Sequence, residues 1–229
     1  MRWRLERRGG NVFGLFSVAA EDLKGATFPV YVDTAIAEEL VGASSDDAYG
    51  AASSSNWTIT QTTAEFSNAR YNRYNGFRWT SVPIPQGVNI ESASFSPYFY
   101  SASNDSPSVT ICGNDVDNAA TFATSSDTYD DRAKTTANVN WVEADVGVGF
   151  NASPDIAGVV EEIVGRGSWA SDNALALLTA GIKKSNCFIY HWDRKPTGTY
   201  AAKFNCTYTE GGGSAIPAIM HHYRQLRSR

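Results

Sequence analysis

Cysteine, methionine and long apolar runs are what this chain has least of. Of 229 residues only two are Met and three are Cys. Cys112, Cys187 and Cys206 are too few and too irregularly spaced for a disulfide framework or a zinc site. Buried thiols are the simpler expectation, and a bridge between Cys187 and Cys206 is the alternative, because their strands could be neighbours. No stretch approaches the roughly 20 apolar residues that a membrane-spanning helix requires. The basic start, Met1 to Arg8, leads into Gly9-Gly10-Asn11 with no apolar core and cleavage site behind it, so neither a membrane span nor a secretion signal is expected. There is no internal repeat, and strands do not alternate with helices, which argues against a doubly wound fold. Nucleophile elbows, phosphate-binding glycine loops and zinc-binding His pairs at helical spacing are missing too.

Aromatic residues, in contrast, are abundant: 6 Trp, 11 Tyr and 11 Phe. Rings and β-branched side chains suit a pleated, half-buried surface, so the bias is towards sheet. Trp3 and Leu5 alternate with Arg2, Arg4 and Glu6, and after the glycine turn Val12 to Val18 is again strand-like, which reads as a hairpin. Residues 42–56 are small, polar and aperiodic, a loop into the main domain. Trp57, Ile59 and Gln61 alternate with threonines, and Phe77-Arg78-Trp79 reads as strand. Val88 to Tyr100 extends until Pro97 demotes its later half to an edge or bulge. The cleanest alternation is Lys134 to Val142, with Thr135, Ala137, Val139 and Trp141 facing inward. Ala174 to Leu178, Cys187 to Trp192 and Ala201 to Tyr208 are further strands.

One segment reads as helix, about 153–165. Ser153 is placed to cap it, Pro154 suits the first turn, Asp155 complements the macrodipole, and Gly165 is placed to end it in a left-handed turn. Ile156, Val159, Val160, Ile163 and Val164 form one apolar stripe, which needs a surface to cover. The expected fold is therefore all-β: a jelly-roll-like antiparallel β-sandwich with one short α-helix and extended N- and C-terminal arms. The division is 1–41 for an N-terminal hairpin or arm, 42–210 for the sandwich, and 211–229 for a Gly-rich break and basic tail.

Charge is unevenly spread. Residues 9–220 carry 12 basic and 23 acidic side chains, a balance of −11, whereas both ends are basic. Solvated termini explain this; so does docking of Arg2, Arg4, Arg7, Arg8, His222, Tyr223, Arg224 and Arg227 on an acidic partner, including another copy of the chain. The acidic body disfavours nucleic acid, the Arg70, Arg73 and Arg78 cluster being the one basic patch between the ends. Calcium is the ion best matched to the oxygen-rich loops, with Asp115 and Asp117 as ligands, although solvated acidic turns explain the same residues and no firm cofactor is assigned. His191, inside an apolar strand, reads as a hydrogen-bonded structural residue, and nothing nominates a catalytic pair of carboxylates, so no enzyme is expected. Tyr71, Tyr74, Tyr98 and Tyr100 are candidates for stacking on sugar rings, which combines apolar area with a polar tip.

Several motifs occur in a familiar order: Ser45-Asp46-Asp47-Ala48-Tyr49; Gly76-Phe77-Arg78-Trp79 with Ile84-Pro85-Gln86-Gly87-Val88; Asp117-Asn118-Ala119; Thr135 to Trp141; and Pro154-Asp155-Ile156 to Ala174-Leu175-Ala176. Over about residues 44–209 they resemble a carbohydrate-binding-module-like β-sandwich of the DNRLRE type, found in bacterial surface proteins and in tailed-phage virion structural proteins. The chain departs from that pattern at Asp172, where a glycine is expected. Phe28 to Asp33 and Ile216 to Leu226 look like segments of phage virion proteins. The resemblance implies a non-enzymatic virion component, a capsid decoration or other surface protein. Its partners would be other virion proteins and copies of itself, and its place the virion surface. The alternative it implies is a carbohydrate-binding or adhesion module of a bacterial surface or extracellular protein, with a surface glycan as partner.

Overall fold

Alternating side chains and turn residues at short intervals can bury their apolar faces only by stacking sheet on sheet, and the computed structural model of the chain has this architecture. It describes residues 2–8, 11–17, 33–100, 106–144, 146–193 and 196–209. β1 (Arg2–Arg8) and β2 (Asn11–Ser17) pair antiparallel, Arg2 opposite Ser17 and Arg8 opposite Asn11, and belong to a unit of their own. A second compact unit begins at Asp33. Its strands are β3 (Asp33–Leu40), β4 (Asp47–Gly50), β5 (Thr63–Ser67), β6 (Tyr74–Trp79), β7 (Asn89–Ser96), β8 (Tyr98–Phe99) and β9 (Ser108–Asn114). They are followed by β10 (Lys134–Val142), β11 (Gly149–Phe150), the helix α1 (Ala157–Val164), β12 (Leu175–Gly181), β13 (Cys187–Tyr190) and β14 (Lys203–Thr209).

One layer of the sandwich is the five-stranded sheet β10-β9-β12-β6-β4; the other is made of the four-stranded β11-β8-β13-β5 and the three-stranded β3-β14-β7. Every pairing is antiparallel. Pro97 separates β7 from β8, so one extended run contributes to both sheets of the second layer. That is the break its missing amide dictates. β3, which the sequence division places with the N-terminal segment, hydrogen-bonds to β14 inside the sandwich, and its first residue, Asp33, lies opposite the last of β14, Thr209.

Between the layers lies an aromatic core. Phe66 from β5, Phe77 and Trp79 from β6, Phe95 from β7, Phe99 from β8 and Trp141 from β10 are all buried, with Phe66 edge-on to both Phe99 and Trp141. β10 alternates as its sequence predicts: Thr135 and Trp141 are buried while Thr136, Asn138, Asn140 and Val142 are exposed. A second, smaller cluster (Trp57, Tyr74, Phe122, Leu178 among others) covers the opposite face of the five-stranded sheet. Arg132 staples the loop that forms it. It donates from Nε and Nη2 to the two carboxylate oxygens of Asp127 (2.9 and 2.6 Å) and from its Nη atoms to the carbonyls of Ala120 and Thr121 (both 3.0 Å). Its guanidinium also lies 4.1 Å from the centre of the Phe122 ring. That ring occupies the place where a side chain on Gly76 would stand.

The helix is shorter than its sequence signals. It starts at Ala157, and the Ser153 hydroxyl caps nothing: it accepts the Phe95 N–H (3.2 Å) and donates to the Pro154 carbonyl (2.8 Å). Asp155 is the residue that serves the first turn, accepting the N–H of Ala157 (3.0 Å) and that of Ala93 on β7 (2.9 Å). Gly165 keeps right-handed helical geometry with φ −73°, so the expected left-handed ending does not occur there. The left-handed residue after the helix is Asp172, at φ +72°. Val159, Val160, Ile163 and Val164 are buried as the stripe requires, and Trp169 anchors the return to the sheet by donating its indole N–H to the Ile84 carbonyl (2.8 Å). Residues 57–62, expected as a strand, make one isolated bridge, Thr58 with Tyr49, and Asn56 just before them makes another with Thr128. Trp57 turns into the second cluster, edge-on to Phe122, and that burial outweighs pairing.

Candidate functional site

The outer face of the four-stranded sheet is where aromatic residues collect. Strand alternation sends Phe66, Phe99 and Ile189 inward, and the same rule sends Tyr98, Phe188 and Tyr190 outward. Tyr100 just past β8, Phe150 on β11 and Tyr200 ahead of β14 join them. All six rings are half-buried. Tyr190 is the hub: its ring lies 4.5 Å from Tyr100 at an interplanar angle of 12°, 5.7 Å from Tyr98 at 22°, and 5.0 Å from Tyr200. Tyr98 meets Phe150 edge-on at 5.0 Å, Tyr100 reaches Phe188 at 6.0 Å, and the Lys203 ammonium lies 4.3 Å from the centre of the Phe150 ring. Such a surface offers polarizable ring faces with phenol hydroxyls between them, a combination suited to stacking on the C–H face of a sugar while hydrogen-bonding its hydroxyls.

Across β5 the face changes character. Glu65 stands directly opposite Phe188 and is paired with Arg73, with the Tyr49 hydroxyl (3.3 Å) and Asn68 Nδ2 (2.9 Å) also donating to its carboxylate. Burial raises the Tyr49 phenol above its usual pKa, so it stays a donor. Arg73 also donates from Nη1 to the Ala51 carbonyl (3.0 Å) and lies 5.2 Å from the centre of the Tyr71 ring. Tyr71 is 58 % exposed.

The four tyrosines named from the sequence therefore part company. Tyr98 and Tyr100 belong to one cluster. Tyr71 stands apart beside Arg73. Tyr74 is 9 % exposed and packs on Tyr129 at 4.6 Å in the second core cluster, so its ring is not available as a stacking platform. Phe150, Phe188, Tyr190 and Tyr200 were missed. Tyr190 and Phe188 could have been found, since they alternate with Cys187 and Ile189, which are apolar and inward.

The other candidates resolve as follows. Asp115 and Asp117 both bind Arg166, at 2.5 and 2.8 Å, so the cation in that loop is a guanidinium. Among the described residues no group of three or more His, Cys, Asp or Glu could hold a metal ion. The Arg70, Arg73 and Arg78 patch is divided: Arg73 pairs with Glu65 and Arg78 with Asp46. His191 is fully buried, but neither ring nitrogen has a hydrogen-bond partner among the described residues; Nδ1 lies 3.8 Å from Oδ1 of buried Asp47. Asp47 Oδ2 accepts the Trp192 N–H (2.7 Å). Cys112, Cys187 and Cys206 are buried and unbridged. The side chains of Arg2, Arg4, Arg7 and Arg8, and all of His222, Tyr223, Arg224 and Arg227, lie outside the described residues. Neither the protein-family models nor the curated proteins compared with the chain match it.

Proposed function

We propose that this chain is a non-enzymatic attachment and display protein of a phage virion, whose sandwich presents a glycan-contacting face and whose basic terminal segments hold it to other virion proteins or to copies of itself. The observation that carries the glycan part is the outward cluster around Tyr190: six rings gathered on one sheet face and left half-exposed, while the far face of the opposite sheet is covered by its own loop. A core-filling role would bury these rings; a contact role keeps them accessible. The virion part is supported by the terminal motifs and by the concentration of arginine at both ends of an acidic body. A carbohydrate-binding module of a bacterial surface or extracellular protein shares the same face and differs in its setting.

The two parts separate experimentally. On a glycan array the protein is expected to bind, and Tyr190→Ala to weaken binding about tenfold or more, the scale of one buried aromatic contact. Absence of binding to any glycan sinks the contact role. Truncation of residues 214–229 is expected to abolish incorporation into particles while the sandwich keeps its thermal transition; normal incorporation of the truncated chain removes the virion role for the tail.

A further inference from the structure

Unpaired backbone collects at the margins of a sheet, and most margins of this sandwich are closed. Tyr49 on β4 exchanges both its N–H and its carbonyl with Thr58 (3.0 and 2.9 Å). β7 is sealed by the segment ahead of α1: Ser153 and Ile156 donate to the Phe95 and Ala93 carbonyls (both 2.9 Å), while Ser153 Oγ and Asp155 accept the matching amides. On β5 the Glu65 carbonyl is taken by Asn75 Nδ2 (3.2 Å), β11 is two residues long, and β3 carries Asp33, Glu38 and Glu39 within the strand itself. Charge along an edge strand resists pairing.

β10 is different. It is the longest described strand, nine residues at the margin of the five-stranded sheet. Between Lys134 and Asn138 a bulge sets three of its residues against Gly113, and there Glu162 of α1 accepts the amides of Thr136 and Ala137. From Asn138 to Val142 the strand is regular, paired with Cys112 to Ser108 on one side and, among the described residues, with no strand on the other. Alternate N–H and C=O groups of this run therefore point out of the sheet, along about 17 Å. Asn138-Val139-Asn140-Trp141-Val142 holds no charge, proline or glycine, a composition that invites strand pairing. Val139, on the core side, is only half-buried, and Val142 is 43 % exposed. Carboxylates bracket the run. Glu162 stands before it, and Glu143 follows it, exposed and fixed by accepting the Trp141 indole N–H (3.1 Å). Neither pairs with a Lys or Arg among the described residues.

We infer that this stretch of β10 is a docking edge for an extended segment of another protein, one that is uncharged and β-branched through about five residues and carries Lys or Arg at each end. Such a segment adds a sixth strand to the sheet. Its backbone pairs with the open groups of Asn138 to Val142, its core-side residues cover Val139, and its terminal cations meet Glu143 and Glu162. The same charges exclude the β10 of a second copy. A two-fold pairing centred on Asn140 would set Glu143 of each copy opposite Ala137 of the other, where Glu162 already stands, so that carboxylate would face carboxylate. The inference is independent of the tyrosine face, which belongs to the other layer.

The test titrates two fluorescein-labelled peptides, Arg-Thr-Val-Thr-Val-Thr-Arg and Glu-Thr-Val-Thr-Val-Thr-Glu, with the full chain, following anisotropy, and measures amide hydrogen exchange on the complex. The Arg-ended peptide is expected to bind about tenfold more tightly than the Glu-ended one, since attraction gives way to repulsion at both ends. It is also expected to slow exchange selectively within Asn138 to Val142. Glu143→Gln keeps an acceptor for the Trp141 indole, so its thermal transition stays in place, and it is expected to weaken the Arg-ended peptide about two- to fivefold. Equal affinity for the two peptides, no binding of either at about 1 mM, binding that leaves exchange in β10 unchanged, or affinity indifferent to Glu143→Gln overturns the inference. So does a dimer of the free chain, seen by sedimentation, that by itself slows exchange within Asn138 to Val142, because the occupant is then a second copy.

Discussion

Asp47 and His191 are the two residues whose chemistry depends most on where the fold puts them. Desolvation pulls His191 from 6.5 down to about 3, and it holds Asp47 well above 3.8, the Trp192 amide opposing and the Asp193 and Asp46 carboxylates adding to it. Burial disfavours the charged form of each. The raised Asp47 carboxyl contributes stability that is lost as pH climbs above the unfolded value of 3.8, whereas the depressed His191 contributes stability that is complete above 6.5 and is lost as pH falls towards about 3, so the two contributions oppose each other between those limits. Urea midpoints from pH 4 to 6.5 are expected to rise with pH more steeply in Asp47→Asn, which keeps an acceptor for the Trp192 amide, than in wild type, because the His191 contribution is then unopposed; equal slopes would mean that Asp47 is ionised in the fold. The burial of His191 was legible from its apolar neighbours, but the hydrogen bond expected of it is not made. Its nearness to Asp47 was not legible, because Asp47 lies 144 positions away and only the register of the sheets brings the two together.

At the level of elements, α1 does more than cover the core. Strand β10 is an edge, and edge amides invite pairing with other chains. Glu162 on α1 occupies two of them, accepting the N–H groups of Thr136 and Ala137 at 2.7 Å each. Glu162→Ala is expected to cost about 1–3 kcal/mol in chemical denaturation and to speed hydrogen exchange at those two amides selectively; unchanged exchange would show that the edge is protected by other means. The apolar stripe of α1 and the alternation of β10 could be read directly from residue spacing, since both are local periodicities. Helix capping could not. Ser153, Pro154 and Asp155 form a standard start signal, but the Ser153 hydroxyl is claimed by the Phe95 amide, a tertiary demand that local pattern does not contain. Residues 57–62 failed as a strand for a similar reason: the alternation was real, yet burying Trp57 against Phe122 outweighed extending a ladder.

For the whole molecule, stability rests on packing and polar staples, with no covalent cross-link among the described residues. All three thiols are buried, and burial pushes the Cys206 thiol up to about 12, far from the reactive thiolate. Reducing agent is accordingly expected to leave the thermal midpoint unchanged, and a thiol reagent to modify the protein only as it unfolds; a midpoint lowered by reductant would reveal a bridge. The sandwich class followed from aromatic content and turn spacing. The half-exposed aromatic face did not, because which of two outward faces stays open is decided by the loop that Arg132 secures over the other sheet.

The pairing of Asp33 with Thr209 has a consequence of another kind. Residues opposite each other in an antiparallel ladder stand about 5 Å apart, so the chain enters and leaves the sandwich at a single spot. A unit with adjoining ends is a cassette: it can be spliced into a surface loop of an unrelated host protein without forcing that loop open. Recombination could then move the tyrosine face from one carrier to another intact, and a laboratory graft of residues 33–209 into a permissive loop would carry it the same way.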